Sequence, residues 1–168
     1  MTDQSTTDPF NLQRFFDAQA GIGFTPYETA LAEMRAGHKQ SHWIWYVFPQ
    51  IQLGTSALSE HFAIKSHDEA KAYLTNETLR NRYLEISTEV LHRLEEGVNP
   101  TFLMGGSTDR GKLISSLTLF EWAYRQSNSL FPNSQPEEIL DLLDQEGFNR
   151  CESTTSWILN CDAGRAPN

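Results

Sequence analysis

His42 opens the most aromatic stretch of the chain and is the residue there best suited to proton transfer. It follows Lys39 and Ser41 closely and directly precedes Trp43, at the edge of an apolar run where the pKa of an imidazole is readily tuned across neutrality. A general acid or base needs that property. Histidines at the start of a helix or strand also serve as hydrogen-bonded structural residues, so the sequence leaves His42 with two roles, catalytic or structural.

The residues after His42 combine aromatic faces with one amide. Trp43 and Trp45 carry indole rings on which a nucleobase can stack, a contact that contributes about 1 to 3 kcal/mol per base; packing in the core is the competing role. Gln50 follows Pro49 in a predicted turn, where its amide can orient a ligand or hold the loop itself. We therefore take Trp43, Trp45 and Gln50 as candidate ligand-binding residues.

A second group of polar residues follows a segment rich in glycine. Residues 99–111 include Pro100, Gly105, Gly106 and Gly111, which predicts a loop, and a helix is predicted from Lys112. Free backbone N–H groups at a helix start attract anions, and the lysine adds positive charge there. The candidate ligand-binding residues of this group are Asp109, Lys112, Ser115 and Ser116. Asp109 is also suited to cap the helix, and the serines to pack it closely or face water.

Start signals followed by apolar residues at helical spacing occur along most of the chain. The predicted starts are Asp8-Pro9, the capping box Thr25-Pro26-Tyr27-Glu28, the capping box Ser66-His67-Asp68-Glu69, Asn76, and the capping box Ser134-Gln135-Pro136-Glu137. Glycines predict helix ends at Gly37, Gly97 and Gly147. These signals indicate a mainly helical protein.

Strand signals are few. Trp43 to Phe48 is apolar on both alternating faces, which suits a buried strand and a buried helix turn alike, and residues 154–161 leave the same choice. We predict a mainly α, compact, single-domain helical fold with at most a small strand element. The domain is expected to span residues 8–161, with flexible termini at 1–7 and 162–168.

Length, charge and cysteine content limit the class of protein. A chain of 168 residues is long enough for one hydrophobic core, and a net charge of -9 argues against binding a nucleic acid polymer while leaving a small anionic ligand open. Cys151 and Cys161 form neither a metal-ligand pattern nor a disulfide framework, and no secretory signal precedes them, which predicts a cytoplasmic protein without a bound metal or cofactor. The nearly uncharged stretch from Gln40 to Ser59 contains too many polar residues to span a membrane.

Four blocks of sequence resemble a family of small bacterial and fungal proteins, the domain of unknown function 1810 (DUF1810). In family order they are DPFNLQRFFDAQ from Asp8, HWIWYVFPQ from His42, FAIKSHDEAKAYL from Phe62 and KLISSLTLF from Lys112. After the second block the family usually continues through Gly-Leu-Gly, whereas this chain has Ile51-Gln52-Leu53-Gly54. Some members are labelled calpastatin, an inhibitor type that is disordered and poor in aromatic residues; a chain with 11% aromatic residues and many helix caps does not fit that class.

A more distant resemblance, carried by the aromatic-flanked His42 and the serine-rich helix from Lys112, is to the NADAR superfamily, helical proteins associated with ADP-ribose and N-glycosidic bond chemistry. It implies an ADP-ribose-like or other nucleotide-like ligand between the aromatic run and the helix start. It also implies N-glycosidase-type hydrolysis, in which His42 or a carboxylate activates water.

The alternative function is a non-catalytic interaction module, in which exposed members of the run from His42 to Gln50 dock a partner protein. The two functions differ in the surface they need. A concave pocket that joins His42 or Gln50 to Lys112 favours ligand binding, whereas a flat, exposed aromatic patch favours docking.

Overall fold

The computed structural model describes residues 7–127 and 135–163, with side chains as far as residue 160. Every regular element in these ranges is an α-helix, and no strand occurs within them. The helices are α1 (Gln13–Gln19), α2 (Tyr27–Ala36), α3 (Ile44–Val47), α4 (Ala57–Phe62), α5 (His67–Thr75), α6 (Glu77–Glu95), α7 (Pro100–Leu103), α8 (Ser107–Gln126), α9 (Gln135–Gln145) and α10 (Glu152–Ala163). The predicted mainly α fold is confirmed. Most of the termini predicted to be flexible lie outside the described residues.

Local capping chemistry accounts for the helix boundaries that the sequence predicts correctly. The hydroxyl of Ser66 accepts the Glu69 N–H at 3.0 Å at the start of α5, and the amide oxygen of Asn76 accepts the Leu79 N–H at 3.1 Å at the start of α6. Helix α2 ends at Gly37, whose φ of 83° lies in the left-handed region. Each of these signals depends only on residues within one turn of the helix end.

Other predicted starts are wrong. Thr25 does not cap α2, because the helix begins after Pro26, and the Thr25 carbonyl instead accepts the Tyr46 hydroxyl at 2.6 Å. Helix α1 begins at Gln13 rather than after Asp8, whose carboxylate reaches forward to two backbone N–H groups at 2.8 and 2.9 Å. The capping residue predicted for α9, Ser134, lies outside the described residues.

The loop predicted at residues 99–111 is also wrong, because most of it is helical. Asn99 caps the one-turn helix α7, and Gly105 and Gly106 make the turn into α8 with φ values of 74° and 148°. Gly111 lies within α8, where a Cβ would meet open space. Asp109 therefore lies in the first turn of α8 and is not its N-cap, a position that Gly106 occupies.

The aromatic run folds as the single turn α3 and forms part of the core. Trp43 and Phe48 are fully buried and Tyr46 nearly so. The ring of Phe48 packs edge-on against Tyr83 of α6 at a centroid distance of 5.3 Å. Helix α4, which the sequence analysis did not predict, follows the run and is capped by Ser56.

Helix α8 lies at the centre of the packing. It contacts α3, α5, α7, α9 and α10, and residues 113–121 are all buried. Because residues 113–121 are buried on every side of the helix, their sequence shows no clean amphipathic stripe. The polar residues among them therefore lie inside the protein. In the ranges that the structure describes, no helix is both long and apolar enough to cross a membrane.

Candidate functional site

Glu33 on α2 holds the chain that leads into the aromatic run. Its Oε2 accepts the backbone N–H groups of Gln40 at 2.9 Å and Ser41 at 3.1 Å and the Trp43 indole N–H at 2.7 Å, while its Oε1 accepts the Ser41 hydroxyl at 2.5 Å. Partial burial raises the pKa of this carboxyl, but the hydrogen bonds to its ionised form outweigh burial and leave the pKa below its usual value. The indole of Trp43 is thereby fixed inside the core.

A chain of charges connects this segment to the start of α8. The side chain of Lys39 is 4% exposed, and its Nζ lies 2.7 Å from Oδ2 of Asp109. The other carboxylate oxygen of Asp109 lies 3.2 Å from the Nζ of Lys112. That same Nζ lies 4.3 Å from the centre of the Trp45 ring, a cation–π contact. The structure thus brings Trp45, Asp109 and Lys112 together.

Gln50 lies in a small cavity beside Trp45. The cavity has a volume of about 10 Å³ and is lined by Trp45, Gln50, Ile51, Ser59, Phe62 and Ala63. Gln50 is 7% exposed, and its Nε2 is buried without a hydrogen-bond partner among the described residues. We call this cavity, together with Lys112 over the Trp45 ring, the Trp45 site.

His42 does not belong to the Trp45 site. Its side chain is exposed in a separate open groove of about 480 Å³, which it shares with Phe24, Thr25 and Leu58. Its main-chain oxygen accepts the Tyr46 hydroxyl at 3.2 Å. Burial raises the pKa of Tyr46 to about 12, so this phenol stays protonated as a hydrogen-bond donor at neutral pH.

The two serines predicted to bind ligand lie inside the core. The hydroxyl of Ser115 is 2.8 Å from that of Thr154 on α10, and the hydroxyl of Ser116 is 3.1 Å from that of Tyr83 on α6. Both serines are fully buried, and neither lines the Trp45 site. Their bonds tie α8 to its neighbours, which is the packing role that the sequence left open.

A groove of about 620 Å³ lies between the start of α1 and α4–α5. Its buried cation, Arg14, already donates to the carbonyls of Phe10, Asn11, His61 and Ala63 at 2.7 to 3.0 Å. Arg14 also forms an ion pair with the buried Glu69. With its guanidinium engaged on all sides, Arg14 ties the chain together and has no donor left for a ligand.

Sequence reasoning missed Glu33 and Lys39. Glu33 adjoins the apolar stripe of α2, and nothing local indicates that its carboxylate collects four donors. Lys39 lies between two helices, and a lysine in a connecting segment is usually exposed. Its burial depends on Asp109, far along the chain, so only the folded structure shows it. Among the described residues, no three His, Cys, Asp or Glu side chains come together as metal ligands.

Comparison with known proteins supports the fold. A family model described as "Protein of unknown function (DUF1810)" matches residues 9–140. The crystal structure of the conserved hypothetical protein Rv1873 from Mycobacterium tuberculosis is similar, with a TM-score of 0.72 and 34% sequence identity over 89% of this chain and 97% of that chain. No curated protein matches the chain. The distant similarity to the NADAR superfamily stays a prediction.

Proposed function

The chain belongs to the DUF1810 family of proteins of unknown function, and from its own geometry we propose that it binds a small nucleotide-like ligand at the Trp45 site. The observation that carries the proposal is the buried Nε2 of Gln50, which has no partner among the described residues. A buried donor left without an acceptor costs about 1 to 3 kcal/mol. A ligand that supplies the acceptor gives a physical reason for keeping an amide at this position.

Three groups at the site complement three parts of a nucleotide. The half-buried indole of Trp45 offers a stacking surface for a base, the Gln50 amide can donate to a ring nitrogen or carbonyl, and Lys112 can pair with a phosphate. Asp109 faces both Lys39 and Lys112, so one carboxylate is shared by two ammonium groups and the cluster keeps net positive charge. That local charge offsets the repulsion expected from a protein of net charge -9.

The geometry supports binding better than hydrolysis. His42 lies in a different groove from Gln50 and Trp45, and Asp109 is engaged by two lysines, so neither is placed to activate water at this site. We favour binding over the docking alternative, because docking by the aromatic run needs exposed rings, whereas Trp43, Tyr46 and Phe48 are buried and Trp45 is half-buried. Ligand binding is therefore the function we propose, and a cytoplasmic location stays a prediction.

A thermal-shift series with AMP, adenosine, ADP-ribose and NAD tests the proposal. A ligand at one hundred times its Kd stabilises the folded state by about 2.7 kcal/mol, which corresponds to a rise in Tm of about 5 to 10 °C for a chain of this size. We expect AMP to shift Tm more than adenosine, because only AMP carries a phosphate for Lys112. No shift with any of the four compounds would contradict the proposal.

Two variants and two matched controls assign the shift to the site. Trp45→Leu and Lys112→Met are expected to abolish or reduce it. Trp122→Leu and Lys71→Met serve as controls, because the Lys71 Nζ lies over the Trp122 ring at 5.6 Å and repeats the cation–π arrangement outside the Trp45 site. A shift reduced equally by both pairs would place binding elsewhere.

A further inference from the structure

We infer that residues 51–56 form a lid that must open before a ligand reaches the Trp45 site, an inference that rests on the function proposed above. The cavity has a volume of about 10 Å³. Pockets for small ligands have volumes of roughly 300 to 1,000 Å³. A base can therefore reach Gln50 only if part of the cavity wall moves.

The wall that follows α4 is firmly anchored. The Ile64 N–H donates to the Gln50 carbonyl at 2.9 Å and brings together the ends of residues 51–63, a loop that includes α4. Arg14 then donates to the carbonyls of His61 at 2.9 Å and Ala63 at 3.0 Å. The end of the loop that carries Phe62 and Ala63 is thus tied to α1 and does not move easily.

The opposite end of the loop is weakly held. Residues 52–56 are all exposed, and the apolar side chain of Leu53 is 44% exposed. The Gly54 N–H donates to the Ser59 hydroxyl at 3.2 Å, and the Ser56 hydroxyl accepts the Ser59 N–H at 3.1 Å. Segments with few buried contacts and exposed hydrogen bonds open at low free energy.

Ile51 connects the weak end of the loop to the cavity. It is 6% exposed and lines the cavity beside Gln50. Because Ile51 directly precedes the exposed residues, an outward movement of 52–56 withdraws its side chain and uncovers Gln50 and one side of Trp45. Residues 51–56 therefore act as the lid. The Ile51 side chain fills the entrance, and Ser59 of α4 is the residue to which the lid is hydrogen-bonded.

A disulfide between the lid and α4 tests this directly. A Cβ built on Gly54 lies 3.7 Å from the Cβ of Ser59, within the spacing of roughly 3.5 to 4.5 Å that a disulfide requires. We expect Gly54→Cys/Ser59→Cys, with Cys151 and Cys161 replaced by serine, to bind AMP at least tenfold more slowly when oxidised than when reduced. The parent carrying only the two serine replacements controls for redox treatment. Equal rates in the oxidised and reduced forms would overturn the lid.

A measurement without ligand separates the lid from the proposed function. In an Ala63→Cys variant with the native cysteines replaced, the rate of labelling by methyl methanethiosulfonate reports how often the cavity opens. Adding Ser59→Ala removes the Gly54 hydrogen bond and is expected to raise that rate about fivefold. Thr75→Ala removes a hydroxyl bonded 2.8 Å from the Lys71 carbonyl and is expected to change nothing.

The outcomes of the labelling experiment are distinct. Equal labelling rates in the Ser59→Ala and Thr75→Ala variants would overturn the lid, whether or not a nucleotide binds. Faster labelling in Ser59→Ala alone supports the lid, even if none of the four nucleotide probes binds and the proposed function fails.

Discussion

Replacing Gln50 by methionine is expected to stabilise the protein, which is unusual for a change at a buried polar residue. The Nε2 of Gln50 is buried without a partner among the described residues. Methionine keeps the unbranched shape of the side chain and removes the unsatisfied donor, whose burial costs about 1 to 3 kcal/mol. Allowing for imperfect packing of the new side chain, we expect the free energy of unfolding to rise by about 1 to 2 kcal/mol. Tm is then expected to rise by about 2 to 8 °C.

Gln19 provides the matched control. It is buried like Gln50, but its Nε2 donates to the Tyr46 carbonyl at 2.8 Å and its Oε1 accepts from Arg82 at 3.1 Å. Gln19→Met leaves these partners unpaired and is expected to cost about 1 to 3 kcal/mol. Urea unfolding monitored by circular dichroism gives both values. If Gln50→Met loses as much stability as Gln19→Met, then the Gln50 amide is satisfied in the folded protein and the reasoning is refuted.

Three further predictions concern stability. The pKa of Glu33 is depressed in the folded protein, so its carboxylate stabilises the fold at pH values above the ordinary pKa of 4.5, and this stability is lost as the pH falls through the lower folded pKa. The free energy of unfolding of Glu33→Gln, measured by urea titration from pH 7 to pH 3, should therefore vary less with pH than that of the wild type. Parallel pH profiles would contradict this. Arg14→Met leaves the buried Glu69 carboxylate uncompensated and should cost about 3 to 5 kcal/mol or more in urea unfolding, while Arg14→Met/Glu69→Leu recovers only part of the loss, because the four carbonyls that accept from Arg14 stay unpaired; a loss below about 1 kcal/mol would count against a buried pair. Gly105→Ala is expected to lower Tm, because the new Cβ would lie 2.8 Å from a main-chain oxygen at a φ of 74°, whereas Gly111→Ala in open space within α8 should raise it; Tm changes of the same sign would contradict the assigned turn.

The elements predicted correctly from sequence are those whose signals are local. The hydroxyl of Ser66 and the amide of Asn76 cap helices through bonds that lie within a single turn, and the left-handed Gly37 ends α2. The error at residues 99–111 has a different cause. Glycines predict loops, but Gly105 is required by the close approach of the Lys39 carbonyl, a contact between distant parts of the chain. Sequence patterns do not contain such contacts.

The contacts within the candidate site could be predicted from the sequence only in part. The aromatic run and the start of α8 do meet, through Trp45 and Lys112, as the expected pocket between them required. Trp43 and Trp45 are two residues apart, yet Trp43 is fully buried against Glu33 while Trp45 is half-buried beside Lys112. A run that is apolar on every face gives no signal for which ring meets solvent, so this distinction comes from tertiary packing alone.

Isothermal titration of wild-type protein and Gln50→Met with AMP and ADP-ribose tests ligand binding at the Trp45 site most directly. We predict that at least one of the two compounds binds the wild type with one-to-one stoichiometry and that Gln50→Met, although more stable, binds it at least tenfold more weakly. Equal affinity in the two proteins would show that Gln50 does not contact the ligand. Absence of heat with both compounds in the wild type would contradict the proposed function.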